Sequence, residues 1–130
     1  MDSCRAQSFD IEAPADQEYS SGQPVNLAHL RRYTLGDKAL EDEVLQLFLT
    51  QLPLTLAALG SAATERDWKI AAHTLKGASR AVGAWRIARM AQLAEELAGN
   101  ESKARSEVLA KLDAAASEAS RFIQQSEKLG

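Results

Sequence analysis

The chain has 130 residues, of which 45% are hydrophobic and 5% aromatic, and its formal net charge is −3. This length supports one domain with one hydrophobic core, and the excess of alanine and leucine over aromatic residues favours packed helices over a sheet. The negative charge, with a pI near 5.4, argues against a nucleic-acid-binding protein. No run of 18 apolar residues is present, so no membrane span is expected.

Cys4 is the single cysteine of the chain, which excludes an internal disulfide and fits a reducing compartment. The first residues lack the basic region and apolar stretch of a secretory signal. We therefore expect a cytoplasmic protein. We also expect a monomer, because one chain of this length can bury its own apolar stripes.

The first 24 residues differ from the rest in charge and composition. They contain five acidic residues against Arg5, a net charge of −4, and are rich in Ser, Gln, Pro and Gly. We predict that residues 1–24 form an acidic, disordered tail and that residues 25–130 form the folded domain. The tail is either a solvating leader or a segment that modulates access to a basic stripe later in the chain.

The folded part begins with a short predicted helix, capped by Asn26 and running from Leu27 to about Tyr33. Gly36 and Asp37 then end this helix and begin a longer one. An apolar stripe of period 3.6 predicts the core side of this second helix: Leu40, Val44, Leu47, Phe48, Leu52, Leu56 and Leu59. Pro53 interrupts that stripe and predicts a bend near residues 49–53.

Three further helices follow. The third is capped by Thr64 or Asp67 and ends near Gly83, where glycine suits a left-handed cap. The fourth runs from residue 84 or 85 to 98, and the last begins at Asn100 and carries the most regular apolar stripe of the chain. Short connections favour antiparallel neighbours. The predicted fold is all-α: an antiparallel up-and-down four-helix bundle with a short extra N-terminal helix.

His73 is the most informative residue because of where it points on the third helix. At about 100° per residue, the apolar positions lie on the opposite face, whereas Lys76 and Arg80 share the face of His73. The imidazole is therefore expected in solvent, where a mostly neutral histidine offers a nucleophilic nitrogen. Gly77, one turn beyond His73, costs about 1 kcal/mol relative to Ala in a helix interior and suggests that something large approaches this face.

Other interpretations of His73 are weaker. A core histidine conflicts with the position of the apolar stripe, and a plain surface histidine leaves the neighbouring Lys76 and Gly77 unexplained. A metal site has little support, because His29 is the only other histidine and no His-x-x-x-His or Cys-x-x-Cys spacing occurs. We expect no metal site.

The pattern H-x-L-K-G-x-S-x-x-x-G-A, from His73 to Ala84, resembles the histidine-containing phosphotransfer (HPt) family of multistep two-component phosphorelays. Residues 45–53 resemble the first long helix of that family, and the Asp67-Trp68 pair resembles its usual approach to the site. The resemblance covers about 100 residues, from Asn26 onward.

This resemblance implies a mechanism. A receiver domain bearing a phosphoaspartate docks on the His73 face, Nε2 of His73 attacks the phosphorus, and the phosphoryl group later passes to the aspartate of another response regulator. Lys76 and Arg80 would stabilise phosphate charge, and Gly77 would allow close approach. The expected partners are response regulator receiver domains and a hybrid sensor histidine kinase.

The resemblance also implies what the chain lacks and which residues surround the site. No glycine-rich phosphate loop occurs, so the chain is expected to be a phosphocarrier rather than an enzyme, with no cofactor of its own and with Mg²⁺ supplied by the receiver. The facing helix would place Gln92 or Glu95 near His73, although a carboxylate would repel phosphate. The possible docking face comprises Arg66, Lys69, Ile70, Ala81 and Trp85.

Further assignments are structural. Ser79 should look inward, Gly83 should permit the turn into the fourth helix, and Trp68 should lie in the core. Trp85 is either packed or part of a docking rim. The main alternative function is a non-catalytic helical adaptor or inhibitor that binds receiver domains, and a helical nucleic-acid binder using the basic face is disfavoured by the net charge.

Overall fold

The computed structural model describes residues 23–97 and 102–129, and these are helical apart from caps and turns. No strand occurs in these two segments, so the predicted all-helical class is confirmed. The predicted disordered tail lies outside the described residues, apart from Gln23 and Pro24. The helices are α1 (Leu27–Thr34), α2 (Lys38–Gly60), α3 (Glu65–Val82), α4 (Trp85–Glu96) and α5 (Ser102–Leu129).

Side-chain caps set where the first three helices begin. Asn26 accepts a hydrogen bond from the backbone N–H of His29, and Asp37 accepts one from Leu40. Of the two caps predicted for α3, Thr64 is the one present: its hydroxyl accepts from the N–H of Asp67. These bonds satisfy N–H groups that have no partner inside the helix.

The four long helices contact one another in a closed ring, in which α3 touches α2 and α4 while α5 touches α4 and α2. Their shared core is built from one apolar stripe per helix, and α1 lies across α2 and α3. The antiparallel, up-and-down orientation stays a prediction favoured by the short connections. The ring leaves one face of α3 open to solvent beside α4.

The predicted core stripe of α2 is partly wrong. Phe48, Leu52 and Leu59 are buried as predicted, but Leu47 is 62% exposed and Leu40 41% exposed. Leu45, 1% exposed, takes their place in the core. Since α2 carries leucines on nearly every face, its periodicity does not identify the side that packs. Pro53 lies inside α2, which continues to Gly60, and the predicted bend stays a prediction.

The ends of α4 and α5 also differ slightly from expectation. Helix α4 ends at Glu96, with Leu97 extended, whereas the sequence predicted residue 98. Helix α5 is described from Ser102, and the predicted start at Asn100 falls outside the described residues. The apolar stripe predicted for α5 included Leu112, Ala119 and Ile123, and all three are completely buried.

An ion pair between a half-exposed arginine and a buried glutamate joins α1 to α2. Glu41 is only 2% exposed, and its Oε1 accepts a 2.7 Å hydrogen bond from Nε of Arg31. This hydrogen bond lowers the pKa of the Glu41 carboxyl below its ordinary value of 4.5, by more than burial raises it. The pair therefore fixes α1 on the bundle with an ionised glutamate.

Helix α2 is the one described helix that is long and apolar enough to cross a membrane by length and composition. A single such helix is a weak indication, because core helices of globular proteins share these properties. Here Leu45, Phe48, Leu52 and Leu59 pack in the bundle core, although other leucines of α2 lie on the surface.

Candidate functional site

The imidazole of His73 lies on the open face of α3, and its side chain is 69% exposed. On the opposite face, Trp68, Leu75 and Ser79 are buried in the bundle. The face predicted for His73 is thus confirmed, and a core histidine is excluded. The predicted inward position of Ser79 and core position of Trp68 are confirmed as well.

Helix α4 places a carboxylate directly beside the imidazole. Oε2 of Glu95 lies 3.1 Å from Nδ1 of His73, and Oε1 of the same carboxylate lies 2.6 Å from Nζ of Lys76. Lys76 also donates a 3.0 Å hydrogen bond to Oε1 of Gln92. Both residues considered for the facing helix therefore lie at the site: Glu95 contacts the histidine, and Gln92 contacts the lysine.

The ionised Glu95 carboxylate favours one tautomer of the His73 ring. Burial raises the pKa of the Glu95 carboxyl, but the hydrogen bond and charge of Lys76, with His73, outweigh burial and hold this pKa below its ordinary value. An ionised carboxylate only accepts hydrogen bonds. Nδ1 of His73 must therefore carry the proton in this contact, which leaves the lone pair of Nε2 available on the exposed side of the ring.

Lys76 is less available than the sequence suggested. Its side chain is 13% exposed and already binds Glu95 and Gln92. Arg80, one turn further along α3, pairs with no carboxylate within the part of the chain that the structure describes. Of these two cations on the face of His73, Lys76 is held by its neighbours, whereas Arg80 is open to an external anion.

Gly77 follows His73 by four residues and lies on the same face. A Cβ built on Gly77 meets nothing within 4 Å, so packing within the chain does not require glycine at this position. Alanine would be more favourable in a helix interior by about 1 kcal/mol. The open space above Gly77 faces outward, as expected for a surface that another molecule approaches.

Two side chains of α3 fix the end of α4 and therefore the position of Glu95. The indole Nε1 of Trp68 donates a 2.7 Å hydrogen bond to the carbonyl oxygen of Ala94, and Nζ of Lys69 donates one of 2.9 Å to that of Glu95. These carbonyls lie in the last turn of α4, where that of Ala94 also accepts a 3.2 Å hydrogen bond from the N–H of Leu97. Lys69, predicted for the docking face, therefore has a structural contact that the sequence did not reveal.

The residues predicted for docking divide between two hollows. Arg66, Lys69 and Ile70 line a hollow that includes His73 itself. Ala81 and Trp85 belong to a second one, which we call the α1 hollow. Its lining comprises His29, Leu30, Tyr33, Thr34, Leu40, Val44, Gly77, Arg80, Ala81 and Trp85.

Trp85 is packed, which decides between the two positions considered for it. Its side chain is nearly completely buried, and its ring meets that of His29 edge-on with centroids 4.9 Å apart. Trp85 therefore forms a wall of the α1 hollow rather than an exposed rim. His29 lies on α1 against this wall.

The turn between α3 and α4 depends on Gly83. Its φ is +80°, and the N–H of Asn26 donates a 2.9 Å hydrogen bond to its carbonyl oxygen. A Cβ at this position would lie 2.7 Å from the carbonyl oxygen of Asn26. The structural role predicted for Gly83 is confirmed, since the residue both ends α3 and receives the chain that leads into α1.

Comparison with known families identifies the chain. The model of the Hpt domain family matches residues 43–122, more than half of the chain, and this region includes His73, Lys76, Gly77 and Glu95. In the described residues, no group of three or more His, Cys, Asp and Glu side chains is placed to hold a metal ion.

Searches of curated proteins and of solved structures give no significant match. On the evidence of the family model, the chain belongs to the Hpt domain family.

Proposed function

We propose that this protein is a phosphocarrier in which His73 accepts a phosphoryl group from the phosphoaspartate of a receiver domain and passes it to the aspartate of another response regulator. Membership of the Hpt family gives it a histidine phosphotransfer role in phosphorelays. The observation that carries the residue assignment is the exposed imidazole whose Nδ1 is held by Glu95.

In the forward step, the lone pair of His73 Nε2 forms the new N–P bond in line with the breaking P–O bond, and the aspartate carboxylate leaves with that electron pair. The proton on Nδ1 stays in place, so the phosphorylated ring carries a positive charge. Glu95, 3.1 Å from Nδ1, then offsets a cation. This resolves the objection that a carboxylate beside the site would repel phosphate.

Lys76 completes the charge balance of the phosphorylated state. Its Nζ lies between Glu95 and Gln92, one helical turn from His73. A phosphoryl group on Nε2 would draw this ammonium toward its oxygens while Glu95 keeps its contact with the ring. Gly77 leaves room for the receiver, and Arg80 adds a second positive charge on the side of the α1 hollow.

The partners follow from this chemistry. The donor receiver would belong to a hybrid sensor histidine kinase and the acceptor to a response regulator, and Mg²⁺ with the remaining catalytic groups would be supplied by the receiver. The carrier contributes the nucleophile and is regenerated after each cycle. A monomer in the cytoplasm remains our expectation.

Transfer of radiolabel tests this proposal. Phosphorylated receivers should label the wild type and the control His29→Gln, but not His73→Gln, and the label should be labile in acid and stable in alkali. Receiver binding that survives in His73→Gln, with no transfer to the wild type, would instead favour a non-catalytic adaptor.

A further inference from the structure

The α1 hollow has a lining that suits an occupant of mixed chemistry. Its volume is about 530 Å³, and its lining is mainly apolar, with Leu30, Val44 and Trp85 among the walls. Arg80 is its only Lys or Arg. Apolar side chains would fill such a hollow, and a carboxylate would satisfy the guanidinium.

A segment of this chain outside the described residues has that chemistry. Phe9-Asp10-Ile11-Glu12 alternates large apolar side chains with carboxylates, and residues 1–22 together carry a net charge of −4. The domain beyond residue 24 has the opposite net sign. Charge and apolar content are therefore complementary between this segment and the α1 hollow.

The point at which this segment joins the bundle lies beside the hollow. Val25 is buried in the core, and the N–H of Asn26 bonds to Gly83, two residues before the hollow residue Trp85. The eleven residues that lie between Glu12 and Pro24 span at most about 40 Å when extended. Helix α3 is only about 27 Å long at 1.5 Å per residue, so the whole hollow is within reach.

We propose that residues 9–12 bind in the α1 hollow, with Phe9 and Ile11 against its apolar walls and a neighbouring carboxylate paired with Arg80. Because Gly77 lines the hollow one turn from His73, the bound segment covers space that a receiver needs. The segment therefore competes with receiver docking, a consequence that rests on the proposed function, whereas the binding itself does not.

Because residues 9–12 are covalently linked to the bundle, even weak binding in the α1 hollow is enough to compete with a receiver. A short linker gives an effective concentration of about 1 mM, so a segment with an intrinsic Kd of about 0.2 mM would lower the apparent affinity for a receiver about sixfold. Ion pairing contributes to this binding, so the effect should weaken as ionic strength rises.

Cys4, the single cysteine, allows a direct test in the full chain. A nitroxide on Cys4 should broaden the NMR amide signals of Tyr33, Gly77 and Ala81, and leave those of Ser117 on α5 sharp. The double variant Phe9→Ser/Ile11→Ser, carrying the same label, should lose this selective broadening.

Uniform broadening, broadening of another face, or broadening unchanged in the double variant would overturn the proposal. So would broadening that arises only between labelled and unlabelled copies, because the occupant would then be a second chain. A matched control, Asp2→Asn/Asp16→Asn, removes two charges outside residues 9–12 and should retain selective broadening.

A second measurement separates this inference from the proposed function. The apparent Kd for an unphosphorylated receiver should fall several-fold in Phe9→Ser/Ile11→Ser relative to the wild type. An unchanged Kd, with selective broadening present, would overturn the competition. If no receiver transfers label to any variant, the proposed function fails while the broadening still decides whether residues 9–12 bind.

Discussion

Glu95 contacts the two residues on which phosphoryl transfer would depend. One carboxylate oxygen lies 3.1 Å from Nδ1 of His73 and the other 2.6 Å from Nζ of Lys76. Before transfer, as we propose it, the carboxylate would balance the lysine and select Nε2 as the free nitrogen. After transfer, it would face a cationic ring and release the lysine toward the phosphoryl oxygens, so its negative charge would be useful in both states.

Glu95→Ala tests this positioning role. Without an acceptor, Nδ1 loses its preference for the proton, which imidazole ¹⁵N shifts would detect, and phosphoryl transfer should slow about tenfold, as expected from a hydrogen bond worth about 1.5 kcal/mol. Glu95→Gln keeps an acceptor oxygen and should keep the tautomer. Glu118→Ala, which removes a remote ion pair to Arg86, should change neither quantity. An unaltered tautomer in Glu95→Ala would contradict the assignment.

Gly77→Ala should separate stability from function. A Cβ at Gly77 meets nothing, so the free energy of unfolding should rise by up to about 1 kcal/mol, whereas transfer from a receiver should slow because the surface is obstructed. Gly60→Ala is the matched control: its Cβ also meets nothing, and it lies at the far end of α2. Denaturant titration measures the stability of both variants, and transfer assays measure their rates. Equal transfer rates in Gly77→Ala and Gly60→Ala would refute a role of Gly77 in close approach.

The sequence was sufficient to predict that His73, Lys76 and Gly77 share one face of a helix, because their spacing places them there. The hydrogen bond between His73 and Glu95 could not be derived from spacing along one helix. It depends on the register of α4 against α3, which the hydrogen bonds of Trp68 and Lys69 to the last carbonyls of α4 determine. Such contacts between elements have no signature in local periodicity.

At the scale of the elements, Gly83 connects α3 to the chain before α1. Gly83→Ala should destabilise the protein more than Gly36→Ala, although both glycines have φ near +80°. An alanine at Gly36 meets no neighbour and bears only the backbone cost of about 1–2 kcal/mol. At Gly83 the new Cβ also collides with Asn26. If thermal denaturation showed the same loss of stability in Gly83→Ala and Gly36→Ala, the collision with Asn26 would be relieved without an energetic cost and the prediction would be wrong.

Glu41 predicts how stability responds to pH. Because its pKa is lowered in the folded state, it stabilises the fold above its unfolded pKa of about 4.5, and this contribution is lost as pH falls through the lower, folded value. Glu41→Gln should cost about 1–2 kcal/mol at pH 7. The difference in the free energy of unfolding between Glu41→Gln and the wild type should become smaller below a pH of about 4.5.

Denaturant titrations at several pH values measure this difference. Asp42→Asn, which removes an exposed partner of Lys38, is the matched control and should have little effect. A constant difference between Glu41→Gln and wild type from pH 7 to pH 3 would contradict the assignment of the charge to this pair.

The elements themselves were largely predictable, and the exceptions have physical causes. Caps such as Asn26 and Thr64 carry their own chemistry, so the starts of α1 and α2 were predicted within one residue, and the cap of α3 was one of the two considered. The side of α2 that packs in the core was not predicted correctly, because leucines occur around the whole helix. Only contact with α3 and α5 selects Leu45 over Leu47. The buried Glu41 gave no signal either, since its partner Arg31 lies on another helix.

At the scale of the whole molecule, the ring of helices exposes the imidazole of His73, which lines one hollow and lies one turn from Gly77 in the α1 hollow. The basic residues on this face and the acidic segment that precedes α1 belong to the same chain. One surface therefore serves two competing interactions in our account: a receiver that exchanges phosphate with His73, and the N-terminal segment that covers part of the approach.

The central claim is that Nε2 of His73, with Nδ1 held by Glu95, forms the bond to phosphorus. The most direct test is an NMR experiment on the full chain after phosphorylation by a receiver, in which ¹⁵N and ³¹P signals identify the phosphorylated ring nitrogen. We expect phosphorus on Nε2 of His73 and a proton retained on Nδ1. Phosphorus on Nδ1, or on His29, would contradict the account.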